Sequence, residues 1–282
     1  MDRVNITDLA AWCKIDFVYF DEELQSFVDP ADTSPFVYAH HLYLNGEEVK
    51  DLAIPATVTT ISNGAFYHCE GLTSVYFPSS VTAIGENAFA DCKGLADVTF
   101  GNCGISFGLQ AFEGCSNLTS LILPACGSGI GILAFGLCEN LTTLIIPNAP
   151  TGFDYDAFCL CVNLKEVYCY IVDPSEIWMN GYPFNNVDPD YDYSGRTLYV
   201  PIGSLDAYRN DSRWSDYFGN IVGMGDVDGN GIASINDVTM LIDILLGAGN
   251  DNYCVGAADY NHDGGVTIAD VVALIDALLS VN

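Results

Sequence analysis

The sequence predicts an α/β solenoid, built from a parallel sheet and short helical turns, followed by a small all-α domain. Two internal repeats lead to this fold class. Over residues 49–163 the same residue types return every 23 positions, and from residue 226 onward they return every 33 positions. A hydrophobic content of 50% in 282 residues supplies enough apolar side chains for buried cores in both regions.

The chain is strongly acidic because it contains few basic residues. Eight Lys and Arg oppose 37 Asp and Glu, which gives a formal net charge of −29 at pH 7. Such a charge repels phosphate backbones and anionic lipid surfaces, so nucleic acid is excluded as a partner. No apolar run reaches about 18 residues, the length that a membrane-spanning helix needs, so membrane insertion is not expected.

The first 30 residues are acidic and contain no apolar segment flanked by basic residues. They therefore lack the pattern of a secretory leader. We expect a secreted or cell-surface protein whose signal peptide has already been removed.

Residues 1–48 are predicted to form the N-terminal cap of the solenoid. The pair Thr7-Asp8 precedes residues 9–12 and gives the polar start signal of a helix. The pair Asn45-Gly46 lies between two strand-like runs and indicates a hairpin with a tight turn. This end should shield the first coil of the solenoid.

Five units of 23 residues follow the cap, at 49–71, 72–94, 95–117, 118–140 and 141–163. Each contains an Ala-Phe-x-x-Cys segment. The cysteines at this position are Cys69, Cys92, Cys115, Cys138 and Cys161. The phenylalanines are Phe66, Phe89, Phe112, Phe135 and Phe158. Five of the eleven cysteines thus belong to a repeat and not to a disulfide framework.

Each unit predicts a short strand, a proline turn and a helical turn. Leu121 and Leu123, two positions apart, fit a half-buried strand that Pro124 ends. Phe and Cys lie three positions apart, which places both on one face of a helical turn. A unit of this size cannot hold a core alone, so stacked coils should bury both side chains and share one parallel sheet.

The repeat resembles the leucine-rich repeat proteins of the bacterial surface type, the BspA-like group. The residues that carry the likeness are Leu72-Thr73-Ser74-Val75-Tyr76-Phe77-Pro78 and Ala88-Phe89-Ala90-Asp91-Cys92. The resemblance covers residues 49–170 most strongly. It also extends to residues 164–223, which we interpret as the last coil and C-terminal cap, with residues 198–201 as the last strand.

Residues 224–282 contain a duplicated loop followed by a helix. The first loop provides Asp226, Asp228, Asn230, Ile232, Ser234 and Asp237, and the second provides Asp259, Asn261, Asp263, Gly265, Thr267 and Asp270. Oxygen ligands at loop positions 1, 3, 5, 9 and 12, a backbone carbonyl at 7 and Gly at 6 suit calcium. We expect two Ca²⁺ ions with a structural role. Magnesium fits less well because it keeps several of its waters.

One apolar stripe is expected on each of the two helices. Its members are Val238, Leu241, Ile242, Leu245 and Leu246 in the first helix and Val271, Leu274, Ile275, Leu278 and Leu279 in the second. Packing of the two stripes against each other would form the core of this small domain.

Asp at loop position 12, with one helix for each loop, resembles the type I dockerin module of cellulosome-like systems. In dockerins, loop positions 10 and 11 help to select a cohesin partner; here they are Ile235-Asn236 and Ile268-Ala269. The resemblance implies a cohesin-like partner on a scaffold and a place in a polysaccharide-degrading assembly. The alternative is a module that only caps the protein or pairs within it.

The other cysteines and the four histidines show no motif for catalysis or zinc. The chain contains no CxxC pair and no HExxH. Cys103 and Cys126 occupy the same place in neighbouring coils, where a disulfide and a reduced pair both fit. No pair stands out for glycoside hydrolysis among the 37 acidic residues. We therefore expect no enzymatic activity.

One column of strand positions should face away from the core. It consists of Tyr76, Thr99, Ile122, Ile145 and Tyr168. Such a stripe suits either protein or glycan binding, and an ordinary half-covered sheet face is the plain alternative.

The sequence thus favours a non-catalytic binding protein that attaches to a cohesin-type partner through a calcium-dependent module. The alternative is an adhesin whose solenoid binds host or microbial surface proteins, with the calcium module as a stabilising end domain.

Overall fold

The computed structural model describes residues 3–17, 20–21, 26–27, 33–101, 104–124, 129–149, 151–186, 192–230, 232–247, 255–261 and 265–280. The chain forms two compact units. The first contains Met1–Lys165 and Glu176–Tyr191, and the second contains Glu166–Ser175 and Asp192–Asn282. Within the described residues, no helix is long and apolar enough to cross a membrane.

The N-terminal region begins the first unit with the predicted helix and hairpin. The helix Leu9–Trp12 starts where Asp8 accepts a hydrogen bond of 3.0 Å from the Ala11 backbone N–H. Asn45 and Gly46 have φ angles of 53° and 92°, as a tight hairpin turn requires. The other elements here are the helix Phe36–Ala39 and the strands Val4–Ile6, Phe20–Asp21, Ser26–Phe27, Leu42–Leu44 and Glu47–Glu48.

The first strand of each coil belongs to a parallel ladder, as predicted. Asp51–Ala53, Ser74–Phe77 and Asp97–Phe100 form one three-stranded sheet. Ser120–Ile122 pairs in parallel with Thr143–Ile146 in the same register of the repeat. The parallel-sheet solenoid expected from the 23-residue period is therefore confirmed.

A second parallel sheet replaces the simple turn expected after each proline. Its six strands are Thr60–Ile61, Ala83–Ile84, Ser106–Phe107, Gly129–Ile130, Gly152–Phe153 and Trp178–Met179. The prediction of a single sheet is wrong on this point. Strands of two residues are too short to show the alternation by which a strand is recognised in a sequence.

The Ala-Phe-x-x-Cys segments form tight turns in place of the helical turns expected. The backbone N–H groups of Phe66 and His68 donate to the carbonyls of Ala88 and Ala90 in the next coil, both at 2.8 Å. A helix would have used these donors within its own segment. Residues with positive φ, such as His68 at 65°, turn the backbone so that the donors point along the solenoid axis.

The cysteines and phenylalanines of the repeat form two interior columns. All five cysteines of the repeat are fully buried. The thiols of four donate to phenylalanine carbonyls at 3.1–3.4 Å: Cys92, Cys115, Cys138 and Cys161. The five phenylalanine rings stack with centroids 4.9–5.6 Å apart. Phe184 adds a sixth ring at 5.5 Å from Phe158, beyond the last 23-residue unit.

The second unit begins with three parallel strands: Glu166–Cys169, Thr197–Val200 and Asn220–Gly223. The strand predicted to be last, at residues 198–201, is therefore followed by another. The helices Leu205–Arg209 and Ser212–Ser215 contribute the fully buried side chains of Tyr208 and Trp214. Two short 3₁₀ turns complete the described elements between the strands, at Pro174–Glu176 and Tyr193–Gly195.

The duplicated segment contributes the helices Ile235–Leu245, Val255–Ala258 and Ile268–Ser280. Its core contains Val227, Val238, Leu241, Ala258, Val271 and Leu274. The first two members of each predicted stripe are thus buried. Ile242, Leu245, Leu246 and Leu279 lie on exposed surface instead.

Candidate calcium loops and binding surfaces

The first loop brings together three carboxylates that suit a divalent cation. One oxygen each of Asp226, Asp228 and Asp237 lies within 4.8 Å of the others. Calcium holds its oxygens at about 2.3–2.6 Å, so ligands of one ion lie within about 5 Å of each other. Asp226 and Asp237 are buried, whereas Asp228 faces solvent. Because buried like charges repel, a cation at this point would stabilise the loop.

Asp237 joins the beginning of the loop to the start of the following helix. Its Oδ1 accepts hydrogen bonds from the backbone N–H groups of Val227 and Asp228 at 2.8 and 3.1 Å. Its Oδ2 accepts from the backbone N–H of Ser234 at 2.8 Å and from the Ser234 hydroxyl at 3.1 Å. The Ser234 side chain accepts from the backbone N–H of Asn236 and also from that of Asp237, and the latter bond completes a capping box between Ser234 and Asp237.

The middle of the first loop is bent by side chains that bond to the backbone two residues further on. Asp228 Oδ1 accepts from the Asn230 backbone N–H at 3.0 Å, and Asn230 Oδ1 accepts from Ile232 at 2.9 Å. These Asx turns curl the chain around the carboxylates. The side chain of Ile232 is exposed, so only its backbone carbonyl suits a ligand role at loop position 7.

The second loop repeats the arrangement around its closing carboxylate. Asp270 is fully buried, and its Oδ1 accepts from the Asn261 backbone N–H at 3.0 Å. Its Oδ2 accepts from the Thr267 backbone N–H at 2.7 Å and from the Thr267 hydroxyl at 3.2 Å. Asp259 and Gly265 are partly buried in the same loop. Asp263 lies outside the described residues.

Gly225 allows the first loop to begin close to the helix Ile268–Ser280. Its φ is +80°, and a Cβ at this position would lie 2.4 Å from Leu274 Cδ1. A side chain would therefore both strain the backbone and displace a buried leucine. Nothing in the sequence distinguishes Gly225, because a glycine before a loop has no pattern of its own.

The residues at loop positions 10 and 11 lie at the exposed starts of the two long helices. Ile235 and Ile268 are each 68% exposed, and their neighbours Asn236 and Ala269 also face solvent. Exposed large aliphatic side chains at matching positions of a duplicated unit suit burial by a partner. Leu246, 75% exposed, and Leu279 add apolar surface at the opposite ends of these helices.

Three residues of the predicted strand column are exposed, Tyr76, Thr99 and Ile122, whereas Ile145 is partly buried. Tyr76 lies beside Thr99 in the parallel ladder, and Ile122 lies beside Ile145. Tyr76 and Ile122 are 48% and 59% exposed. A groove of about 400 Å³ runs along this face, lined by residues that include Asp97, Thr99, Ser120 and Ile122.

Tyr168 departs from the exposed column. Its side chain is only 6% exposed, because the ring stacks on Tyr199 with centroids 4.5 Å apart. The helix Val255–Ala258 also covers it, since a Cβ on Gly256 would lie 2.5 Å from the Tyr168 hydroxyl. The prediction that Tyr168 is an exposed binding residue is therefore wrong. Sequence spacing does not reveal a segment that packs onto this strand from nearly 90 residues away.

The described cysteines form buried, unreactive thiols. Eight are buried and carry reduced thiols. Burial raises the pKa of Cys13 to about 12 and that of Cys169 to about 11, which suppresses the reactive thiolate. Cys103 and Cys126, the pair for which the sequence allows a disulfide, lie outside the described residues.

Comparisons with known proteins agree with this architecture. The family model for the BspA type leucine rich repeat region matches residues 40–165 in six copies. The model for the dockerin type I domain matches residues 224–279. A search of curated proteins gave no match.

Three solved bacterial structures are similar to this chain. A leucine rich repeat protein of T. pallidum is 19% identical over 60% of this chain and 84% of its own, with a TM-score of 0.38. A leucine rich cell surface protein of Faecalibacterium prausnitzii A2-165 is 20% identical over 65% and 58%, with a TM-score of 0.38. A leucine-rich repeat protein of Bacteroides ovatus ATCC 8483 is 16% identical over 80% and 72%, with a TM-score of 0.34.

The repeat, with its interior columns, corresponds to one matched family, and the duplicated loops correspond to the other. Residues 40–165 are therefore similar to the BspA type leucine rich repeat region, and residues 224–279 are similar to the dockerin type I domain.

Proposed function

We propose that this chain is a secreted or surface-displayed, non-catalytic binding protein. Its solenoid recognises a protein or a glycan, and its dockerin module attaches it to a cohesin-type partner in a polysaccharide-degrading assembly. The observation that carries this proposal is the pair of similar loops, each closed by a buried aspartate and carrying an exposed isoleucine two residues before it.

Each segment of the chain has one proposed role. Residues 1–48 cap the solenoid, residues 49–163 form the five repeats, residues 164–223 form the last coil and its cap, and residues 224–282 form the dockerin module. One Ca²⁺ ion binds in each loop. In the second loop the ligands correspond to those of the first: Asp259, Asn261, Asp263, Gly265, Thr267 and Asp270.

Calcium presents the partner surface by fixing the start of each long helix. Asp237 and Asp270 hold the serine or threonine that caps each helix, and the exposed isoleucines follow directly. Burying one isoleucine side chain contributes about 1.5–3 kcal/mol. Two such side chains at the centre of an interface would supply a large share of a stable complex.

The solenoid offers its own binding face at the groove beside Tyr76, Thr99, Ile122 and Ile145. The face combines an exposed aromatic ring with the aliphatic Ile122 and the carboxylate of Asp97. Rings and aliphatic side chains suit sugar rings or apolar protein side chains, and nearby carboxylates accept hydrogen bonds from hydroxyl groups.

A second candidate function is that of an adhesin in which the calcium module acts only as an end domain. The packing of Gly256 against Tyr168 and Tyr199 favours it, because part of the module lies directly on the last strands. Ile202, next to the strand Thr197–Val200, also packs against the module core. Under this alternative, calcium stabilises the end of the solenoid and the ligand binds elsewhere.

Aspartate in place of both isoleucines tests the proposed cohesin surface. Ile235→Asp with Ile268→Asp should reduce retention of a cohesin-type protein from the source surface fraction at least about tenfold, since each change places a charge in an apolar contact. Calcium binding, followed by titration calorimetry, should be unchanged. Retention equal to that of the parent would contradict the proposed surface.

Leu246→Asp with Leu279→Asp provides the matched control. The two leucines are also exposed, also 33 positions apart and at the other ends of the same helices. This variant should retain the partner as the parent does.

A further inference from the structure

Two histidines and a glutamate converge at the junction between the N-terminal cap and the first coil. His68 Nδ1 lies 3.3 Å from Glu70 Oε1, and His40 Nδ1 lies 3.8 Å from Glu70 Oε2. One ligand atom from each of the three side chains lies within 4.8 Å of the other two. All three residues are partly buried. His68 and Glu70 lie two residues apart in the first coil, whereas His40 comes from the cap, and none belongs to the calcium loops.

The backbone holds both histidines in place. His40 and His68 adopt left-handed conformations, with φ of 56° and 65°, which non-glycine residues rarely adopt. The backbone N–H of His40 donates to Phe36 at 2.9 Å, and the His40 carbonyl accepts from Gly71 at 2.9 Å. The backbone N–H of His68 donates to Ala90 at 2.8 Å. The positive φ of His68 returns at the same position of the later coils, at Asp91, Gly114, Leu137 and Leu160, so it belongs to the turn of the repeat and fixes where the His68 ring begins.

The ring nitrogens that face Glu70 lie within ion-pair distance of its carboxylate but form no hydrogen bond with it. The Nδ1 atoms of His40 and His68 are buried and have no hydrogen-bond partner among the described residues. Buried polar atoms are nearly always paired, so two such atoms beside one carboxylate require a reason. The two imidazole rings lie 5.6 Å apart with an interplanar angle of 51°, so they are not stacked face to face.

We propose that His40, His68 and Glu70 form a binding site for a divalent transition metal of the zinc class. Ligands at about 2.0–2.1 Å around tetrahedral zinc lie about 3.3 Å from one another, close to the separations between the histidines and Glu70. Imidazole nitrogen favours zinc over calcium or magnesium. Three protein ligands leave a fourth position for water or for a group from a partner.

Lys93 is the nearby cation that a metal would have to displace. Its Nζ lies 3.4 Å from Glu70 Oε1 and 3.8 Å from Asp91 Oδ1. The Lys93 side chain is about half exposed and has a flexible stem, so it can move into solvent while Asp91 stays beside it. Removing this positive charge should strengthen metal binding.

The test measures zinc binding to the full chain in saturating calcium, which keeps zinc out of the calcium loops. His68→Asn is the main variant because asparagine tolerates the left-handed backbone. It should weaken zinc affinity by at least about tenfold, since even outer-shell partners of ligands change affinity by that factor. Lys93→Gln should raise the affinity. Cobalt(II) added to the parent should give the intense visible bands of a four-coordinate site, and His68→Asn should lose them.

His41→Asn is the matched control, because His41 pairs with Glu48 outside the cluster. Its zinc affinity and cobalt spectrum should match those of the parent. Glu70→Gln provides a second ligand variant if His68→Asn does not fold. Zinc affinity equal to the parent's in folded ligand variants would overturn the proposal, as would a parent chain that binds no zinc.

Discussion

Removing one carboxylate from each calcium loop should abolish the stabilisation of residues 224–282 by calcium. In Asp226→Ala with Asp259→Ala, each loop loses its first ligand while its closing aspartate keeps its backbone hydrogen bonds. A ligand at about 100 times its Kd contributes about 2.7 kcal/mol per site. Two sites on a domain of this size correspond to a Tm shift of roughly 20 °C or more. Differential scanning calorimetry in calcium and in chelator measures this shift.

Asp243→Ala with Asp276→Ala is the control for the loss of two negative charges. These residues are exposed on the helices and occupy matching positions of the same 33-residue repeat. Their removal should leave the calcium-induced shift intact. If the loop variant and the parent show the same shift, calcium does not bind through these aspartates.

Phe112→Ala should cause the largest loss of stability of any single substitution in the solenoid. The ring is fully buried and stacks between Phe89 and Phe135 at 5.1 and 5.2 Å. Truncation of a buried phenylalanine costs about 3–5 kcal/mol. Because each coil contacts only its neighbours, a cavity here weakens both interfaces of the central coil. Chemical denaturation followed by circular dichroism gives the free energy of unfolding.

Tyr76→Ala serves as the exposed counterpart of this substitution. Its ring lies on the outer face of the sheet and is about half exposed, so the change should cost less than about 1.5 kcal/mol. A Phe112→Ala chain as stable as the Tyr76→Ala chain would contradict the account of the stacked column.

The 23-residue period predicts most of the solenoid fold, because stacking repeats the same contacts in every coil. It predicts the first strand of each unit, the buried cysteine and the phenylalanine that packs beside it. The second sheet has strands of two residues and therefore no readable alternation. Phe184 joins the column 26 positions after Phe158, so a search at 23-residue spacing does not find it.

The candidate sites also differ in how much of each can be predicted from the sequence. Calcium ligands lie within one short loop, where spacing alone sets the geometry, and the first loop does bring its three aspartates together. The cluster of His40, His68 and Glu70 depends on how the cap packs on the first coil, which no motif records. The covered position of Tyr168 likewise depends on a distant segment.

The most direct measurement is retention of partner proteins by the immobilised full chain, from the source cells' surface fraction, in calcium and in chelator. The account predicts that a cohesin-type protein is retained in calcium and released by the chelator. Retention of that protein unchanged by the chelator would contradict calcium-dependent attachment through the dockerin module. It would shift partner binding to the solenoid and leave the module as an end domain.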